Sequence, residues 1–130
     1  MTSPRPVFVG VVAALVAPWH LEGPRLKRLL APVDGRRPDA GDARAAVRWA
    51  RLGIRVLGRL PFSPWRNTCL YRAVAACLAV RWLGGDAVLR IGTRRDPETG
   101  EVIAHAWIDG TPDEPSEDAG YRLLEPREVR

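Results

Sequence analysis

The sequence predicts an α+β domain in which helices come first and a small antiparallel sheet follows. Up to Gly84 the apolar residues recur with the period of amphipathic or buried helices. Beyond Gly84 they fall in short strand-like runs separated by Gly, Pro and Asp. Helices followed by strands favour an antiparallel sheet packed on the last helix.

Length and composition limit the chain to one globular domain. With 130 residues it can form one compact core, in which we expect residues 1–60 to be an N-terminal helical part and residues 61–130 the remainder of the domain. Apolar residues make up 46% and charged residues 27%, which excludes disorder. The net charge of +5 comes from arginines spread along the whole chain, so we expect no nucleic-acid binding, and an acidic peptide partner fits this charge at least as well.

An apolar run opens the chain. Val7–Ala17 is apolar on all sides and Pro18 stops it, so we expect a buried helix or strand. The run has the length of a signal-peptide core, but it is shorter than the ~20 residues that cross a bilayer. We expect a cytoplasmic protein with no membrane span.

Two amphipathic helices should follow, separated by a loop. Leucines in Pro24–Leu30 predict a short helix, and Gly, Pro and Asp in Asp34–Gly41 predict a loop. Asp42 is the expected cap of a long helix, Ala43–Leu60, with one apolar face and arginines elsewhere.

The next helix is predicted to be central, because it is apolar over most of its circumference. It occupies the stretch from Asn67 to Gly84, NTCLYRAVAACLAVRWLG, with Ser63, Asn67 or Thr68 as its cap. Gly84 and Gly85 should end it.

The strands follow this helix. We expect strands at Ala87–Gly92 and Val102–Asp109, a turn at Arg94–Gly100, and a last short strand at Tyr121–Leu124. Asp109 and Gly110 are typical of a hairpin turn.

The central helix carries both cysteines. Cys69 and Cys77 are eight residues apart, about 12 Å along a helix, which is beyond disulfide reach. Cys77 lies among alanines and is predicted to be a packed core residue. Cys69 lies at the helix start, where unbonded N–H groups and the helix dipole favour a thiolate, so it is the candidate nucleophile. Packing is the alternative role for Cys69.

A nucleophilic thiol needs a base and a residue that orients it. His105, inside a predicted strand, is a better candidate base than His20, which lies between prolines. A hairpin after this strand would bring Asp113 or Glu114 near the imidazole, with Asp113 slightly preferred. Asp109 is ~13 Å along the same strand and is a weaker choice. The spacing of Cys and His matches no metal-binding motif, so we expect no metal and no cofactor.

Three segments resemble one known family. NTCLYRAVAACLAVRWLG, AVLRIGTRRDP and AHAWIDG, within Arg59–Leu124, are similar to the transglutaminase-like leader peptidases of lasso-peptide biosynthesis. The resemblance implies that residues 61–130 are a papain- or transglutaminase-like catalytic core, that of a cysteine protease with a Cys-His-Asp triad. Cys69 and His105 match two of its members, and the third would be Asp113 or its substitute Glu114, with Asp109 as a weaker option.

The same resemblance implies a substrate and two partners. The substrate would be a ribosomal precursor peptide, cleaved between leader and core. A separate leader-recognition protein would present it, and an ATP-dependent lasso cyclase would take the core. The alternative is a non-enzymatic helical adaptor that binds a partner peptide or protein through the basic face of Ala43–Leu60.

Overall fold

The computed structural model has the predicted α+β architecture. Within its described residues, four α-helices precede a three-stranded antiparallel sheet, and a 3₁₀ helix, Ala17–His20, follows the first α-helix. The elements are α1 Arg5–Val16, α2 Gly23–Leu30, α3 Ala40–Leu57, α4 Cys69–Trp82, β1 Val88–Arg95, β2 Val102–Asp109 and β3 Arg122–Leu123. The structure describes residues 5–21, 23–31, 40–61, 64–66, 68–109 and 122–123.

The central position predicted for α4 is confirmed. Every residue from Ala73 to Val80 is buried, and the helix contacts α1, α3 and the sheet. The helix ends as expected, because Gly84 adopts φ 88° and the N–H of Gly85 donates to Val80 O at 2.9 Å. This end turns the chain toward β1.

Helix α1 is less buried than the sequence suggests. Its buried residues are the small ones, Pro6, Gly10, Ala13 and Ala14, whereas Phe8 is 69% exposed. The reason is close packing against α3, since a Cβ on Gly10 would lie 2.5 Å from the carbonyl oxygen of Ala46. Large side chains would not fit where the two backbones approach this closely, so glycine and alanine occupy the buried positions at the crossing. Among the described residues, no helix is both long and apolar enough to cross a membrane.

Helix α3 begins and ends three residues before its predicted bounds. Asp42 therefore lies inside the first turn of α3 rather than at its cap. In the first turn its carboxylate still interacts favourably with the positive end of the helix dipole. Arg59 and Leu60 continue only as hydrogen-bonded turns, donating to Val56 O and Leu57 O.

The sheet has the order β2-β1-β3. Strand β1 is antiparallel to both neighbours and runs to Arg95, beyond the strand predicted to end at Gly92, because Arg94 and Arg95 pair with Ile103 and Val102. The connecting turn consequently starts at Asp96. The predicted turn at Gly110 lies outside the described residues.

One arginine ties the end of α4 to two other elements. The guanidinium of Arg81 donates to the carbonyls of Arg28, Leu29 and Ala31 at the end of α2, at 2.7, 3.0 and 2.9 Å. It also donates to Ala87 O, just before β1, at 2.8 Å. Carbonyls at a helix end lack intrahelical donors, so Arg81 satisfies groups that would otherwise need water.

Candidate active site

Cys69 is the first residue of α4. Thr68 is its N-cap, with extended backbone, and its hydroxyl accepts a hydrogen bond from the N–H of Tyr71 at 3.3 Å. This selects Thr68 among the predicted caps, whereas Ser63 and Asn67 lie outside the described residues. The thiol therefore lies in the first turn, where N–H groups lack intrahelical acceptors.

The segment before α4 is held by two aromatic side chains. The indole N–H of Trp65 donates to Ala14 O in α1 at 2.9 Å, and its ring meets Trp19 edge to face at 6.4 Å. The hydroxyl of Tyr71 donates to Pro64 O at 2.9 Å. These contacts fix where α4 starts relative to α1, and with it the position of Cys69.

His105 lies in the middle of β2. It pairs with Gly92 of β1, and its ring stacks on Trp107 with 5.6 Å between centroids and 20° between planes. Trp107 is only 3% exposed, so it is a rigid neighbour for the imidazole. His105 itself is half-buried, as Cys69 is, and both remain accessible.

Cys69 and His105 line the same cavity, which has a volume of about 340 Å³. The structure thus brings together the two residues that sequence reasoning selected from distant parts of the chain. The remaining lining is Ala73, Ala106 and Trp107, together with the three arginines Arg51, Arg55 and Arg72.

The arginines were not predicted as site residues, because the pattern of α3 placed Arg51 and Arg55 away from its apolar face and nothing indicated a role for Arg72. Spacing offered a signal, since Arg72 is one turn from Cys69 and Arg51 is one turn from Arg55. The convergence of the two helices could not be predicted from that spacing.

Asp109 is not part of the cavity lining. Its Oδ2 accepts from Arg90 Nε at 2.9 Å in an ion pair at the far end of β2. Asp113 and Glu114 lie outside the described residues, so the choice between them stays a prediction.

The second cysteine and second histidine have other environments. Cys77 is fully buried, as predicted, and its thiol donates to Ala87 O at 3.6 Å. Burial raises the pKa of the Cys77 thiol to about 11, against a smaller lowering by Arg81. His20 lies in the 3₁₀ helix, with Nδ1 3.1 Å from Val16 O, and does not line the cavity. No three His, Cys, Asp or Glu side chains of the described segments group as metal ligands would.

Comparison with known proteins identifies the family of the chain. The model of one protein family, described as the transglutaminase-like superfamily, matches residues 11–125. The match covers all four helices at least in part and all three strands. No curated protein and no solved structure gave a significant match. The chain therefore belongs to the transglutaminase-like superfamily.

Proposed function

We propose that the protein is a cysteine peptidase in which Cys69 is the nucleophile and His105 the general acid and base. The observation that carries the proposal is their shared cavity, with the thiol at a helix start and the imidazole held on a strand. The superfamily has cysteine peptidase and transferase members, which fits a thiol nucleophile. An accessible cysteine beside a positioned imidazole is the arrangement that acyl transfer requires.

The reaction would proceed through a thioester. The thiolate of Cys69 attacks the scissile carbonyl carbon, and first-turn N–H groups of α4 stabilise the oxyanion. The imidazolium of His105 gives its proton to the leaving amine as the C–N bond breaks. Neutral His105 then takes a proton from water, the hydroxide adds to the thioester, and the C–S bond breaks to release the acid and restore the thiolate. Asp113, or Glu114 in its place, would orient the imidazole.

The proposed substrate is a lasso-type precursor peptide, cleaved between leader and core. The resemblance of the segments around Cys69 and His105 to lasso leader peptidases supports this choice. A leader-recognition protein would deliver the precursor and an ATP-dependent cyclase would consume the freed core, and we propose that both steps take place in the cytoplasm.

The chain supplies its own matched controls for the test, since it has two cysteines and two histidines. The precursor and recognition protein are incubated with Cys69→Ala, His105→Ala, Cys77→Ala or His20→Ala, and products are followed by mass spectrometry. We expect the first two variants to lose at least ~100-fold in rate, the lower limit typical of general acid–base catalysis. The other two should cleave normally. Undiminished cleavage by either Cys69→Ala or His105→Ala would contradict the proposal.

A non-enzymatic adaptor is the second candidate, and one observation favours it. Helix α3 exposes Trp49, Leu52 and Val56, at 38%, 39% and 57%, next to its arginines. Labelling with iodoacetamide near pH 7 separates the two functions, because a catalytic Cys69 should react much faster than a free cysteine in a peptide. Equal rates would favour the adaptor.

A further inference from the structure

The cavity at Cys69 is strongly basic. Three of the residues that line it are arginines, Arg51, Arg55 and Arg72, and the lining contains no Asp or Glu among the described residues.

The three arginines come from two helices. Arg51 and Arg55 are one turn apart on α3, so their side chains leave the same face of that helix. Arg72 lies one turn beyond Cys69 on α4, and its Nε donates to Thr68 O at 3.3 Å. That bond directs the Arg72 side chain toward the start of α4, where the thiol lies.

Such a cluster has the chemistry of an anion subsite. No carboxylate of the described residues forms an ion pair with Arg55 or Arg72. Like charges that converge on one cavity repel each other, and an anion between them relieves the repulsion. Guanidinium groups bind carboxylates through paired, charge-assisted hydrogen bonds, which are stronger than neutral ones.

We propose that Arg55 and Arg72 select substrates that carry a carboxylate close to the scissile bond. This inference rests on the proposed peptidase function and names its substrate class. The carboxylate belongs to an acidic side chain or to a free C-terminus, and the two sources share the same recognition chemistry.

Binding can be measured without catalysis. The Cys69→Ala variant is titrated into C-terminally amidated Ala/Gly hexapeptides that carry an uncharged BODIPY dye and one Glu at each position in turn, with the Gln peptide as partner in each case. A second arm compares a peptide acid with its amide. We expect at least one Glu peptide, or the acid, to bind about tenfold more tightly than its neutral partner, in line with a charge-assisted contact.

The arginines are then tested in the same background. Arg55→Gln and Arg72→Gln should each reduce at least threefold the ratio of the affinity for the charged peptide to the affinity for its neutral partner. Arg48→Gln, on an exposed site of α3 outside the cavity, should leave this ratio unchanged. Equal binding of every charged and neutral pair would overturn the subsite. An equal loss in Arg48→Gln would also overturn it, because net charge alone would then explain the preference.

Kinetics separate this proposal from the peptidase itself. If the wild type cleaves peptides, Arg55→Gln should raise KM for the preferred charged peptide and leave KM for its neutral partner unchanged. An equal fall in kcat for both peptides would refute the subsite. It would indicate instead that the arginine acts on the Cys69 thiolate. Selective binding to Cys69→Ala with no cleavage by the wild type would retain the subsite and reject the peptidase.

Discussion

Replacing Arg81 by Met should destabilise the protein more than replacing any other arginine of the described residues. Methionine replaces the aliphatic part of the arginine side chain but has no guanidinium, so all four hydrogen bonds are lost. Three of the carbonyls that lose a donor lie at the end of α2, and the fourth precedes β1.

The expected cost follows from the exposure of these bonds. The bond to Arg28 O is exposed, so water replaces it at little cost, whereas the bonds to Leu29, Ala31 and Ala87 are partly buried. At about 1 kcal/mol for each partly buried bond, Arg81→Met should lower the free energy of unfolding by about 3 kcal/mol. For a chain of this length that corresponds to a fall in Tm of about 10 °C.

Urea unfolding followed by circular dichroism measures this loss. Arg81→Lys keeps the charge but cannot reach every carbonyl, so it should recover only about one third of the stability. Arg48→Met is the control, because Arg48 is exposed on α3, and it should change stability by less than about 0.5 kcal/mol. A stability of Arg81→Met within that same margin of the wild type would refute the role assigned to this network.

Two further predictions concern α4. Burial raises the pKa of the Cys77 thiol from 9.0 in the unfolded chain to about 11 in the folded protein. The stability that the buried neutral thiol contributes is therefore complete below pH 9 and is lost as the pH rises toward 11. Over that range we expect the free energy of unfolding, measured in urea, to fall by about 2 kcal/mol more in the wild type than in Cys77→Ala. Parallel dependence of the two free energies on pH would disprove this effect of Cys77. Thr68→Ala should cost about 1 kcal/mol of stability and slow peptide cleavage, because the first turn around Cys69 loses its cap, whereas Thr68→Ser should behave as the wild type. Equal stability of the Ala and Ser variants in the same unfolding assay would exclude capping by Thr68.

Much of the fold follows from local patterns. The change of period at Gly84 separates helices from strands, and the glycine itself adopts the positive φ that ends α4. Cys69 and His105 were identified because a helix start and a strand interior can each be predicted locally. Their common cavity depends on how α4 packs on the sheet, which only the resemblance to a family implied.

Other features depend on contacts that no local pattern encodes. The apolar residues of α1 did not indicate which of them face α3, because that depends on the fit of Gly10 to the backbone of its neighbour. Arg94 and Arg95 have turn-like neighbours in sequence, but pairing with β2 keeps them extended. The convergence of Arg55 and Arg72 likewise requires two helices to be placed in space.

The crossing of α1 and α3 affects the position of Cys69, although neither helix carries that residue. Gly10 sets how closely α1 approaches α3. Four residues later, the carbonyl of Ala14 accepts the hydrogen bond from the indole N–H of Trp65. A larger residue at position 10 would move that carbonyl outward, and the segment leading to Cys69 would lose its anchor. The apolar run that resembles an export signal in length therefore helps to place Cys69, and we expect damage to it to reduce the proposed peptidase activity as well as the stability.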